Sequence, residues 1–197
     1  MTKDFTLLII NCQNDFTQDD GALYVPTSNK AVNNICKFIE QRKDNINKII
    51  LVKNNYPSNY CIFRSFGGGY PKHCVAETPG NNIDSRLMTI IDNLNINYKI
   101  VNKGEVHDML EGSASSYSKF IDGTFVLQTA TDATRVLTDD IVVCGLLGNF
   151  DVKDTLVDLT KQLPEENIHV FIDGIASTDD GTAIQNFVEE NFNVQII

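Results

Sequence analysis

The chain has 197 residues, of which 42% are hydrophobic, and carries a formal net charge of -10 with a pI near 4.6. This length suits one α/β domain with a sizeable core, so we expect a single domain over residues 1–197. The acidic balance and the lack of a Lys/Arg run argue against nucleic acid or an anionic membrane as a partner. Five cysteines without metal-type spacing predict reduced thiols, and the start of the chain lacks a signal-peptide pattern. The sequence therefore predicts a cytoplasmic protein.

The predicted elements alternate between strands and helices. Short apolar runs rich in β-branched residues predict strands at 5–10, 48–52, 98–101, 141–144, 169–172 and 194–197. Apolar residues at helical spacing predict helices at 31–42, 87–94, 129–137, 151–159 and 181–192. This alternation is typical of a three-layer α/β/α fold with a mostly parallel sheet and a Rossmann-like topology.

A long segment, 53–83, separates the second strand from the second helix. It contains three consecutive glycines and three prolines, and we expect it to be a loop. Loops of this length in compact domains are commonly functional. A second, shorter loop is predicted at 113–120.

Polar residues follow three of the predicted strands. Asn11 follows the first strand, Lys103 follows the strand at 98–101, and Asp151 lies in the first turn of the helix after 141–144. In an open α/β sheet the ligand crevice lies at the carboxyl ends of the strands. An acidic residue in a first turn commonly just complements the helix dipole, and the segment 140–159 taken alone favours that structural role for Asp151.

Several local motifs run through nearly the whole chain. The first strand leads into NCQNDF at 11–16 and GALYVP at 21–26, followed by YPKHCV at 70–75, TPG at 78–80, KG at 103–104, SYSKF at 116–120 and CGL at 144–146. In this order they resemble the motifs of the isochorismatase-like cysteine hydrolase family, which includes the nicotinamidases. The corresponding family motifs are Asp-x-Gln-x-Asp-Phe, Gly-x-Leu-x-Val-Pro, Trp-Pro-x-His-Cys-Val and Thr-Pro-Gly. The resemblance implies the isochorismatase-like form of the α/β/α fold.

The resemblance also implies a catalytic triad, in which a Cys thiolate attacks, an Asp takes its proton and a Lys holds both. The nucleophile position is Asp151 in this chain, and the base position is Asn11, an amide that accepts no proton at useful pH. Only Lys103 matches. The same resemblance places the metal ligands of nicotinamidases on Asn54, Tyr56, Tyr60 and His73, of which only His73 matches.

We expect no metal cofactor at these four positions, because an amide and two phenols are poor ligands for a transition metal. His73 is interpreted as a hydrogen-bonded structural histidine. Cys12 and Cys74 adjoin family site positions, but alternate residues of an extended chain face opposite sides. We therefore expect both to be small buried hydrophobes. Asn55 stands where the family has an aromatic residue, so one wall for a ring ligand is lost.

Three functions remain open. The favoured hypothesis is a pseudoenzyme that keeps the fold as a binding or interaction module, with a small-molecule ligand in the crevice. The alternative is a hydrolase of altered chemistry that uses Asp151 and Lys103 on a small amide or vinyl ether. The third is a structural subunit that forms a homo-oligomer or associates with a paralogue.

The sequence also predicts the geometry of the altered triad. We expect Lys103 and Asp151 to follow neighbouring strands and to form a direct ion pair. We expect Asn11 to hydrogen-bond one of them. A pair of this kind keeps two partly buried charges ionised and makes Asp151 a poor general acid.

Overall fold

The computed structural model describes residues 3–106, 112–114, 116–121, 124–136, 138, 140–179 and 181–197. Their strands are β1 (Phe5–Ile10), β2 (Ile46–Asn54), β3 (Tyr98–Lys103), β4 (Lys119–Ile121), β5 (Thr124–Gln128), β6 (Ala133–Arg135), β7 (Ile141–Leu146), β8 (Ile168–Ala176) and β9 (Gln195–Ile196). Their α-helices are α1 (Asn14–Thr17), α2 (Ser28–Arg42), α3 (Ser85–Asn93), α4 (Lys153–Leu159) and α5 (Thr182–Asn191). Short 3₁₀ turns occur at Lys43–Asn45, Arg64–Phe66, Pro79–Asn81 and Glu165–Asn167. In the described part of the chain, no helix is long and apolar enough to cross a membrane.

The main sheet has six strands in the order β3-β2-β1-β7-β8-β9, and every neighbouring pair is parallel. All six predicted strands are present, so the prediction of a mostly parallel sheet is confirmed. β1 lies in the interior of the sheet because its residues are apolar on both faces and all six are buried.

The sheet is covered on both faces. Phe5, Leu7 and Ile9 of β1 pack in a core with buried residues of α2 and α3. The alternate residues Leu8 and Ile10 pack in a second core with buried residues of α4 and α5. Because successive side chains of a strand point to opposite faces, these two cores lie on opposite sides of the sheet. The predicted three-layer arrangement is therefore confirmed.

One predicted helix, at 129–137, is wrong. This region instead contributes β6 to a three-stranded antiparallel sheet with the order β4-β5-β6, and Leu137 lies outside the described residues. Its exposure alternates, with Thr134 and Val136 buried and Ala133 and Arg135 exposed. This period of two is the strand pattern, and β4 likewise occupies part of the predicted loop at 113–120.

The long segment between β2 and α3 is anchored by buried amide side chains. The Gln13 Nε2 donates to the backbone oxygens of Asn54 (2.8 Å) and Asn81 (2.9 Å), and Gln13 Oε1 accepts from the Asn54 N–H at 2.8 Å. The Asn81 Nδ2 donates to the backbone oxygens of Asn54 and Cys74. Asp15 accepts from the Cys74 N–H at 2.6 Å. These bonds hold the loop against the carboxyl end of β2.

Candidate active site

Two of the three predicted triad residues meet at the carboxyl end of the sheet. Lys103 is the last residue of β3, and Asp151 lies in a π-helical turn, Gly148–Val152, between β7 and α4. β3 and β7 are not neighbours, contrary to the prediction, because β2 and β1 lie between them. Adjacent strands are spaced by about 4.8 Å, so the long lysine side chain and the turn after β7 are both needed to bridge the gap.

Lys103 and Asp151 form an ion pair, as predicted. The Lys103 Nζ lies 2.5 Å from Asp151 Oδ1 and also donates to the backbone oxygen of Gly112 at 3.1 Å. The lysine side chain is fully buried, whereas the Asp151 side chain is 13% exposed. The Asp151 carboxylate therefore contacts the buried ammonium and is also partly exposed to solvent. It forms an ion pair in addition to any interaction with the helix dipole.

The prediction that Asn11 hydrogen-bonds this pair is wrong. Asn11 is completely buried, and neither polar atom of its side chain has a hydrogen-bond partner within the described ranges. Its backbone has φ 50°, a left-handed conformation that Asn tolerates better than most residues, and its N–H donates to the backbone oxygen of Val52. Lys103 bonds to Asp151 and to the Gly112 backbone oxygen.

A threonine ties the helix that carries Asp151 to the segment that carries Gly112. The Thr155 Oγ1 donates to the Asp151 backbone oxygen at 2.6 Å and accepts from the Ala114 N–H at 2.9 Å. Thr155 thus joins the backbone of Asp151 to the segment that contains Gly112, and both of these residues bond the Lys103 ammonium.

A cavity of about 240 Å³ opens beside the ion pair. Aromatic rings make up much of its wall, and the polar lining comes from separate parts of the chain. The lining residues are Phe16, Leu23, Asn54, Tyr56, Tyr60, Ile62, Tyr70, His73, Gly112, Leu147, Phe150, Asp151 and Asp154. Asn55 is directed elsewhere, since its Nδ2 donates to Glu105 Oε1 at 2.7 Å.

Asp154 is a cavity residue that the sequence reasoning missed. Partial burial, and then the neighbouring Asp151 carboxylate, raises the pKa of Asp154 above its usual range. Among the described residues its carboxylate has no hydrogen bond or ion pair. Its position three residues after Asp151 could have identified Asp154, because residues i and i+3 of a helix lie on the same face.

The four family metal positions do come together, since Asn54, Tyr56, Tyr60 and His73 all line the cavity. The rings of Tyr56 and Tyr60 are stacked with their centroids 4.5 Å apart, and the His73 ring meets Tyr56 edge-on at 5.3 Å. The His73 Nδ1 lies 2.9 Å from the Pro71 backbone oxygen, and burial lowers the pKa of His73. One imidazole with an amide and two phenols does not fit a transition metal, and no group of three His, Cys, Asp or Glu in the described ranges is arranged to hold one.

The cysteines near the site are buried. Cys12 and Cys74 are 1% and 0% exposed, and burial raises the pKa of both thiols well above the usual value. Burial likewise raises the pKa of Cys144 in β7. A thiol whose pKa is raised gives little thiolate near neutral pH, so the interpretation of Cys12 and Cys74 as buried hydrophobes agrees with their surroundings.

The fold and the crevice define an α/β protein with an open cavity at the carboxyl edge of a parallel sheet. The model of the isochorismatase domain matches residues 5–103, about half of the chain. The chain belongs to the isochorismatase family.

Individual relatives agree with this assignment. The chain is 24% identical to the nicotinamidase of Saccharomyces cerevisiae over 184 residues, which covers 79% of this chain and 81% of the yeast protein. The solved structure of the yeast nicotinamidase superposes with a TM-score of 0.75 at 20% identity, covering 98% of both chains. The structure of PnC1 of L. infantum in complex with nicotinate superposes with a TM-score of 0.73 at 21% identity, covering 100% of this chain and 92% of that one. The structure of the pyrazinamidase of Pyrococcus horikoshii in complex with zinc superposes with a TM-score of 0.70 at 19% identity, covering 98% of this chain and 97% of that one. At these identities the structural likeness shows the fold.

Proposed function

We propose that this protein is a pseudoenzyme of the isochorismatase family that binds a small molecule in its cavity without hydrolysing it. The observation that carries the proposal is the ion pair: the position of the family nucleophile holds an aspartate whose Oδ1 lies 2.5 Å from the Lys103 ammonium. A carboxylate whose oxygen accepts a hydrogen bond from an ammonium is a weak nucleophile toward an amide carbonyl.

The rest of the reaction machinery supports the same proposal. Asn11 at the base position accepts no proton from a nucleophile. Cys12 and Cys74, the thiols that adjoin the site positions, are buried with raised pKa values. Loss of a nucleophile costs on the order of 10⁶ in kcat, and removal of its base brings little further loss because the two act as a unit.

The cavity supports a retained binding role. It is open to ligand, and its wall combines aromatic rings with a small number of polar groups, which is the usual composition of a small-molecule site. The loop over it is anchored by the buried Gln13 and Asn81 amides, so the cavity is largely preformed.

A second function is favoured by one observation. Asp151 lines the cavity, and Asp154 beside it has a pKa raised by burial and by Asp151, as in sites where one of two carboxyls donates a proton. A hydrolase of altered chemistry would use Asp151 and Lys103 on a small amide or vinyl ether, with Asp154 as the proton donor. Hydrolysis of an enol ether but not of a carboxamide would favour this second function.

The proposal is tested by release of ammonia from nicotinamide. We expect no release above a heat-denatured control, even with protein near the substrate concentration. The Lys103→Ala variant is assayed beside it. Release by the wild type that this variant abolishes would contradict the proposal.

A further inference from the structure

The charges around the cavity sum to a negative value. Asp151 and Lys103 offset each other. Asp154 remains as an exposed carboxylate without an ion-pair partner among the described residues. The adjacent Lys153 lies with its Nζ 5.1 Å from the centroid of the Phe187 ring, outside the cavity lining.

Aromatic side chains stand beside this carboxylate. Tyr70 and Phe150 line the cavity and are 45% and 46% exposed, and both are large rings presented to solvent. Deeper in the wall lies the stacked pair of Tyr56 and Tyr60. Aromatic rings around a negatively charged site attract organic cations through the ring quadrupole, most strongly where water is displaced.

We propose that the cavity selects a small aromatic cation, such as an N-alkylated pyridinium. This inference rests on the proposed binding function and specifies its ligand. The cation stacks against the aromatic wall, and Asp154 supplies the opposite charge at the rim. The cavity volume of about 240 Å³ suits a ligand with one ring.

The test is isothermal titration calorimetry with two ligands of the same shape, 1-methylnicotinamide and its neutral carbon isostere, 3-methylbenzamide. We expect the cation to bind at least about tenfold more tightly than the isostere at low ionic strength, with a smaller ratio at high salt. Asp154→Asn is expected to bring the ratio close to one. The matched control Asp158→Asn removes an acid of the same helix outside the cavity lining and is expected to keep the ratio.

Phe150→Leu tests the aromatic contribution, because the Phe150 side chain is half exposed and its replacement leaves both cores intact. We expect a several-fold weaker binding of the cation and little change for the isostere. Equal or tighter binding of the isostere, a ratio unchanged in Asp154→Asn, or failure of both ligands to bind would overturn the inference. Ammonia released from either carboxamide during the titration would instead overturn the proposed function, whatever the ratio.

Discussion

The Lys103 side chain is fully buried, and its ammonium bonds to Asp151 and to the Gly112 backbone oxygen, at 2.5 and 3.1 Å. Loss of one member of a buried pair leaves an uncompensated charge, whereas loss of both members leaves no charge in the interior. The two residues therefore couple in a way that mutation can measure.

Denaturant unfolding of Lys103→Met, Asp151→Leu and the double variant measures this coupling. We expect each single variant to lose stability, by about 3–5 kcal/mol for Asp151→Leu, and the double variant to lose less than the sum. Asp151→Leu should cost more than Lys103→Met, because the lysine is fully buried while the aspartate is partly exposed and can be hydrated. Additive losses would show that the two groups do not interact.

His169 is the residue for which the structure predicts a pH dependence of stability. It is 4% exposed in β8, and its Nε2 lies 3.9 Å from Asp140 Oδ1. Burial lowers the pKa of His169, and the nearby Asp140 opposes this effect without cancelling it. The unfolded chain, with a histidine pKa of about 6.5, then binds the proton more readily than the folded chain.

Stability contributed by neutral His169 is therefore fully present above about pH 6.5 and is lost as the pH falls toward the lowered pKa of the folded state. We expect the free energy of unfolding to decrease between pH 7.5 and 5.5. The His169→Leu variant should show a slope smaller by up to about 1.4 kcal/mol per pH unit, the value for one proton. Parallel pH profiles of the two proteins would show that His169 does not titrate differently on folding. Because His73 and Asp154 are unchanged, their contributions cancel in this comparison.

At the scale of elements, the parallel sheet was predictable because its strands are short, continuous apolar runs bounded by polar residues. The hairpin of β5 and β6 was not predictable, since Thr129, Thr131 and Val136 allow a helical interpretation. In addition, the turn at Thr129–Asp132 depends on hydrogen bonds of the Thr129 side chain. The Lys103–Asp151 pair was predicted from the ends of two strands together with the resemblance to the family triad. The aromatic wall was not, because its rings come from α1, from the long loop and from the π-helical turn, and their convergence depends on how that loop folds.

The loop between β2 and α3 contains three of the four positions at which we expect no metal to bind. We expect protein purified without chelator and without a metal-affinity step to contain far less than one zinc, iron or manganese per chain by elemental analysis, because only His73 supplies a strong ligand. A matched control restores the family set with Asn54→Asp, Tyr56→His and Tyr60→His, and zinc uptake by that variant would show that the backbone can still present ligands. Stoichiometric metal in the wild type that disappears in His73→Ala would contradict the prediction.

In the whole molecule, two motif residues that match the family hold the scaffold. Gln13 and Asp15 bond the long loop, as their hydrogen bonds to Asn54, Asn81 and Cys74 show. Lys103 matches as well, whereas Asn11 and Asp151 replace the residues that the resemblance assigns to the base and the nucleophile. The scaffold is thus retained around a changed set of residues in the crevice.

The absence of hydrolysis is tested by mass spectrometry of compounds incubated with stoichiometric protein in water enriched in ¹⁸O. Nicotinamide and a small enol ether cover the two reactions open to the site, because hydrolysis of either places oxygen from water in the product. We expect both compounds to be recovered unchanged. An ¹⁸O-labelled carboxylic acid or carbonyl compound formed by the wild type, and not by Lys103→Ala or Asp151→Leu, would contradict this expectation.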